Sequence, residues 1–131
     1  MIYIIIGIST LFIIIAYGVT INNAKYLLSG YNTMSKEERA KFDIDNYIPF
    51  FKKFHLILGI SCFIIGSSLT LIVSQEAGSI FIGTYPIAAY IYFIKKSNIY
   101  YDKKHQNLNK LAQLVLIGVL ILTIILIIKV F

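Results

Sequence analysis

Four long apolar runs separated by short polar segments limit this chain more than any other feature. They cover about residues 2–21, 52–73, 78–94 and 111–130. A helix needs about 20 residues to cross ~30 Å of hydrocarbon, so each run suffices, the third barely. Within lipid a spanning segment must satisfy its own backbone groups, which makes each run a helix whatever its isoleucine content. The expectation is an all-α, four-span transmembrane helix bundle that occupies residues 1–131 as a single integral membrane domain. Composition agrees: the chain is 58% hydrophobic and 14% charged with mean hydropathy +0.79, whereas soluble domains carry about a quarter charged residues. The first run lacks the basic start of a secretory signal, since no Lys or Arg precedes Lys25, and its core is too long for one. It reads as a retained helix.

The net charge of +6 comes from residues that flank the runs. Lys25, Lys36, Arg39 and Lys41 lie between runs one and two, with Lys52 and Lys53 at the near end of run two, and Lys95, Lys96, Lys103, Lys104 and Lys110 lie between three and four. "SQEAG", between two and three, has no basic residue. By the positive-inside rule both basic segments face the cytoplasm and both termini lie outside, in a multi-pass arrangement in a bacterial inner membrane. Lys129 dissents from the far end of run four, where its stem can reach the outer interface. Lys52, Lys53, Lys95, Lys96, Lys103 and Lys104, interleaved with tyrosine and phenylalanine, suit anionic lipid headgroups. Rings placed in the headgroup layer make nucleic acid a poor partner.

The polar stretch "GYNTMSKEERAKFD" at residues 30–43 contains a helix start. Ser35 followed three residues later by Glu38 is a capping box, and it predicts a short interfacial helix from Lys36 to about Phe42. Gly30 and Asn32 are available for positive φ, and "GYNT" is expected to stop the first helix. Asp45 is expected to cap the second span with Pro49 in its first turn. Gly30, Tyr31, Asn32, Thr33, Ser35 and Glu38 therefore form either a turn device or a contact surface for a partner.

"SGYNTMSKEERAKFD", together with "FHLILGISCFIIG" after it, resembles a family of small bacterial membrane proteins known as domain of unknown function 3784. That resemblance implies no assigned chemistry. The same stretch bears a looser resemblance to the membrane immunity protein family that protects against the Bacillus sporulation-delaying toxin, which shares the glycine, polar turn and Ser-then-acidic helix start. It has Tyr31 and Asn32 after Gly30 where that family has Arg, and it has no Trp.

Small residues let helices approach in lipid. Run two carries Gly59, Cys62, Gly66, Thr70 and Ser74 at steps of three or four, run three Ser79, Gly83, Pro86 and Tyr90, and run one Gly7, Thr10 and Gly18. These faces are expected to meet one another, with a groove for a partner helix or lipid as the alternative. Gln113, Gly118 and Thr123 form no stripe, so run four is expected to be the most lipid-exposed and loosely held.

Away from their ends the runs hold no Asp, Glu, Lys, Arg or His, which argues against ion coupling through buried charge. His55 and His105 are expected as ordinary interfacial rings, and neither has a ligand spacing such as His-x-x-x-His, so no metal is expected. Cys62, the lone cysteine, reads as packing. No nucleophile, acid and base converge, and neither enzymatic activity nor a cofactor is expected. The sequence thus points to a non-enzymatic membrane protein that binds another membrane protein or peptide, with toxin immunity its most specific form. A small channel or a lipid or solute transporter subunit is the alternative, and the oligomeric state is left open, a homo-oligomer included.

Overall fold

A computed structural model describes residues 1–130. The chain forms α1 (Ile2–Gly18), α2 (Ala24–Leu27), α3 (Lys36–Lys41), α4 (Ile44–Ser68), α5 (Gln75–Ser97) and α6 (Lys103–Val130). Leu69–Val73 extends α4 as a π-helical turn, and Asn98–Tyr100 is a 3₁₀ turn after α5. No strand occurs among the described residues, and the architecture is an all-α bundle. Three helical segments, Ile44–Val73, Gln75–Tyr100 and Lys103–Val130, are long and apolar enough to cross a membrane. The apolar α1 is shorter, with 17 residues, or about 25 Å of helix. These are the helices of a membrane protein.

α1 packs along α4, α4 against α5, and α5 against α6. α1 and α4 cross closely at Gly59, where a Cβ would lie 2.9 Å from both the Ser9 carbonyl oxygen and Ile13 Cγ1. Cys62 and Gly66 continue that face: Cys62 is wholly buried, and Gly66 admits Ile5 and Ile82. The small stripe of the second run is therefore an internal packing surface. Its expected partners differ. The buried face of α1 is Ile5, Ser9, Phe12 and Ala16, while Gly7, Thr10 and Gly18 point outward. In α5, Gly78, Ile82, Phe93 and Ser97 are buried, Gly83 faces open space and Ser79 is exposed. Bulk decides this: a large side chain seated against a glycine fills space that two facing glycines would leave empty.

The turn between α4 and α5 is tighter than an "SQEAG" loop. Ser74 alone is extended, its amide donates to the Leu69 carbonyl (3.0 Å), and its hydroxyl accepts from the Ala77 amide (3.1 Å) to cap α5. α5 thus starts at Gln75 rather than Gly78. Thr70 donates to the Gly66 carbonyl (2.8 Å) and sits directly against Gly78, where any Cβ would collide with it. Pro86 lies inside α5, where its ring removes one i→i−4 hydrogen bond.

At the lysine-rich end the helix boundaries move. α1 stops at Gly18, not in "GYNT", because Asn23 folds back: its side-chain NH₂ donates to the Gly18 carbonyl and its side-chain oxygen accepts from the Thr20 amide, both at 2.7 Å. Gly30 takes φ +87° and is the only residue with positive φ among those described, so Asn32 does not share that role. Asp43, rather than Asp45, caps α4 by accepting from the Asn46 amide (3.3 Å) and side chain (2.8 Å). Pro49 consequently falls in the second turn, beyond the amides that lack partners, and removes one helical bond.

α6 is held differently. None of its span is buried, in keeping with its expected exposure, and His105 is its one buried residue. Its attachment is polar: Gln106 donates to the Asn98 and Tyr101 carbonyls (3.0 and 2.9 Å), Asn109 to the Asn98 side-chain oxygen (2.8 Å), and Gln113 to the Ile91 carbonyl (3.1 Å). The polar stripe on this helix is Gln106, Asn109 and Gln113, whereas Gly118 and Thr123 take no part in it.

Candidate functional site

The lysine-rich end carries most of the molecule's side-chain chemistry. The stretch from Gly30 to Asp43 forms a clasp over a cluster of rings. Its α3 starts with both bonds of the capping box: the Glu38 carboxylate accepts from the Ser35 amide (2.8 Å) and the Ser35 hydroxyl from the Glu38 amide (3.1 Å). Thr33 donates to the Gly30 carbonyl (3.0 Å). Met34 and Phe42 are buried, and Phe42 has Tyr31, Tyr47 and Tyr101 with ring centroids 5.1–5.2 Å away. Asn32, Thr33, Ser35, Lys36 and Glu37 are exposed on the outside. Aromatic rings in offset or edge contact fix one another's orientation, so the clasp is a braced element with one buried and one free side.

Beneath it the cluster continues into the helices. Phe50 stacks on Phe93 (5.2 Å), and Phe54 lies 4.5 Å from the same ring. His55 is 1% exposed, enclosed by the protein rather than turned outward. Its Nδ1 lies 2.8 Å from the Phe51 carbonyl and its Nε2 2.9 Å from the Tyr90 hydroxyl. A carbonyl only accepts, so Nδ1 carries the proton and Nε2 accepts from Tyr90. That bond ties α4 to α5. A second tie joins Ser61 to Tyr85 at 2.8 Å. Beside the cluster a groove of about 530 Å³ opens between Ile14, Val19, Leu28, Phe51 and Phe93, with His55 and Tyr90 also lining it.

Where the clasp meets the start of α6, charged groups converge. Lys104 Nζ lies 3.4 Å from Glu38. Asp102 caps α6 by accepting from the His105 amide (2.9 Å), and its carboxylate meets His105 Nδ1 at 2.6 Å. Glu38, Asp102 and His105 each place one potential ligand atom within 4.8 Å of the others. They line a pocket of about 100 Å³ together with Met34, Lys41, Phe42 and Tyr100. The Ser35 amide, with help from Lys104, holds the Glu38 carboxyl below its ordinary range. The His105 amide and imidazole do the same for Asp102, while burial raises the Tyr101 hydroxyl.

The lysines divide between two roles. Lys53, Lys95, Lys96, Lys103 and Lys104 are exposed, but Lys52 is half-buried with its ammonium 4.1 Å above the Tyr17 ring, which pins the end of α1 to α4.

The profile of a domain of unknown function, DUF3784, matches residues 4–101. The chain belongs to this family. No curated protein and no solved structure matches it. The DUF3784 region comprises α1 through the 3₁₀ turn, including the clasp and both hydrogen-bonded helix ties. Asp102, His105 and the rest of α6 follow the matched region, so the charged convergence joins the DUF3784 region to the helix after it.

Proposed function

We propose that this DUF3784 protein is a non-enzymatic binding protein of a bacterial inner membrane, with its lysine-rich end in the cytoplasm and both termini outside. It acts by engaging another membrane protein or peptide at the free side of the clasp. The observation that carries this reading is the two-sided clasp: Tyr31, Met34 and Phe42 are committed to the ring cluster, while Asn32, Thr33, Ser35, Lys36 and Glu37 are exposed on a backbone held by a capping box. A surface ordered before binding loses less conformational entropy on binding. The exposed lysines around it favour acidic partners and anionic headgroups. Protection against a membrane-active toxin is the most specific form of this activity, and the clasp motif is what suggests it.

A photoreactive residue placed at Thr33, with a second at Gly83 as a control on the open face of α5, tests the reading in native membranes. A heterologous protein or peptide crosslinked at residue 33 and absent at residue 83 is the expected result. Reproducible absence of any protein adduct at residue 33 overturns it.

The groove beside His55 supports a second reading, a lipid or solute transporter subunit. Its lining is mostly apolar, which suits an acyl chain better than an ion. Flux or lipid transfer by the purified protein in liposomes would favour that reading over the first.

A further inference from the structure

We propose that Glu38, Asp102 and His105 form a binding site for one divalent transition-metal cation of the zinc type, which clamps the clasp to the base of α6. The three ligand atoms already lie within 4.8 Å of one another. Each is held in place before any ion arrives: Glu38 Oε2 by the Ser35 amide (2.8 Å), Asp102 Oδ1 by the His105 amide (2.9 Å), the same oxygen that meets the His105 ring, and His105 by burial to 8% exposure. Outer hydrogen bonds of this kind fix ligand geometry before the ion arrives. Two carboxylates and one imidazole with a free fourth position make the donor set of an open tetrahedral site. The imidazole favours a transition metal over Mg²⁺ or Ca²⁺. In a tetrahedral site with bonds near 2.0 Å, ligand atoms stand roughly 3.3 Å apart. The 2.6 Å Asp102–His105 contact must therefore open slightly, and the longer separations must close through side-chain rotation. The pocket between Met34, Phe42 and Tyr100 leaves room for both changes.

Lys104 is the built-in competitor. Its ammonium lies 3.4 Å from Glu38, yet its side chain is 72% exposed, so it can swing into water when the cation enters. The clamp has a structural purpose: α6 has no buried apolar residue in its span, and its start is where it can be locked to the DUF3784 region. This inference does not depend on the clasp binding a partner, and its failure leaves that reading intact.

The test uses the untagged full-length chain in detergent micelles, stripped of metal and titrated with Zn²⁺ by calorimetry, with amide exchange measured in parallel. The expected result is saturable binding of one Zn²⁺, stronger than binding of Mg²⁺, with slower exchange in residues 36–41 and 103–106 together. Glu38→Gln, which keeps an oxygen for the Ser35 amide, and His105→Gln should each weaken binding about 10- to 100-fold. Lys104→Met should tighten it, and His55→Gln should leave it unchanged. Absence of one-to-one Zn²⁺ binding, equal binding in Glu38→Gln, or Mg²⁺ preference overturns the site. Binding without protection of both segments overturns the clamp.

Discussion

Gly59 and Gly83 show how much a residue's meaning depends on what faces it. Both stand in apolar runs at helical spacing from other small residues, yet a Cβ on Gly59 meets the α1 backbone, whereas one on Gly83 meets nothing within 4 Å. Gly59→Ala should cost about 1–3 kcal/mol through overpacking, and Gly83→Ala should be neutral or stabilise by up to about 1 kcal/mol through helix propensity. Unfolding midpoints of the two variants in mixed micelles check this pair. His55 gives a parallel case. Its place near a cluster of rings and lysines suggested an interface, and the Tyr90 hydroxyl 35 positions away is what makes burial tolerable. Tyr90→Phe leaves Nε2 buried without a donor and should destabilise the α4–α5 pair by about 1–3 kcal/mol, read as a lower midpoint in the same assay.

Among the elements, the clasp is the one most legible in advance. Ser35 and Glu38 stand at capping-box spacing and the box forms as read, because both bonds are local. The end of α1 and the start of α4 are less legible although their bonds are local too, because several capping residues compete there: Asn23 reaches back to Gly18, and Asp43 rather than Asp45 accepts from Asn46. The clasp should respond to acid. Glu38 is held below its ordinary 4.5, so its folded form binds protons less readily than the unfolded chain. Its contribution to stability is present above that value and is lost as pH falls through the lower folded value. Amide exchange of residues 35–39 should accelerate on acidification below about pH 4.5 relative to α4, after correction for intrinsic rates. Glu38→Gln should abolish that extra acceleration.

For the whole molecule, orientation is the property most open to direct measurement. Cys62 is wholly buried, so a membrane-impermeant thiol reagent should report only introduced cysteines. Glu76→Cys, at the hairpin end, should label in intact cells, and Lys53→Cys only after permeabilisation. The reverse pattern would invert the membrane orientation. Apolar run length and capping-box spacing were enough to establish a helical membrane protein with a short helix between its first two long segments, since hydrocarbon leaves a backbone few alternatives and a cap is a local bond. Which faces pack, why Gly7 looks outward while Ser9 looks inward, and how Glu38 comes beside residues more than sixty positions later depend on the folded chain. Those are long-range contacts, chosen by the mutual fit of large and small side chains across helices, and spacing along one helix carries no record of its neighbour.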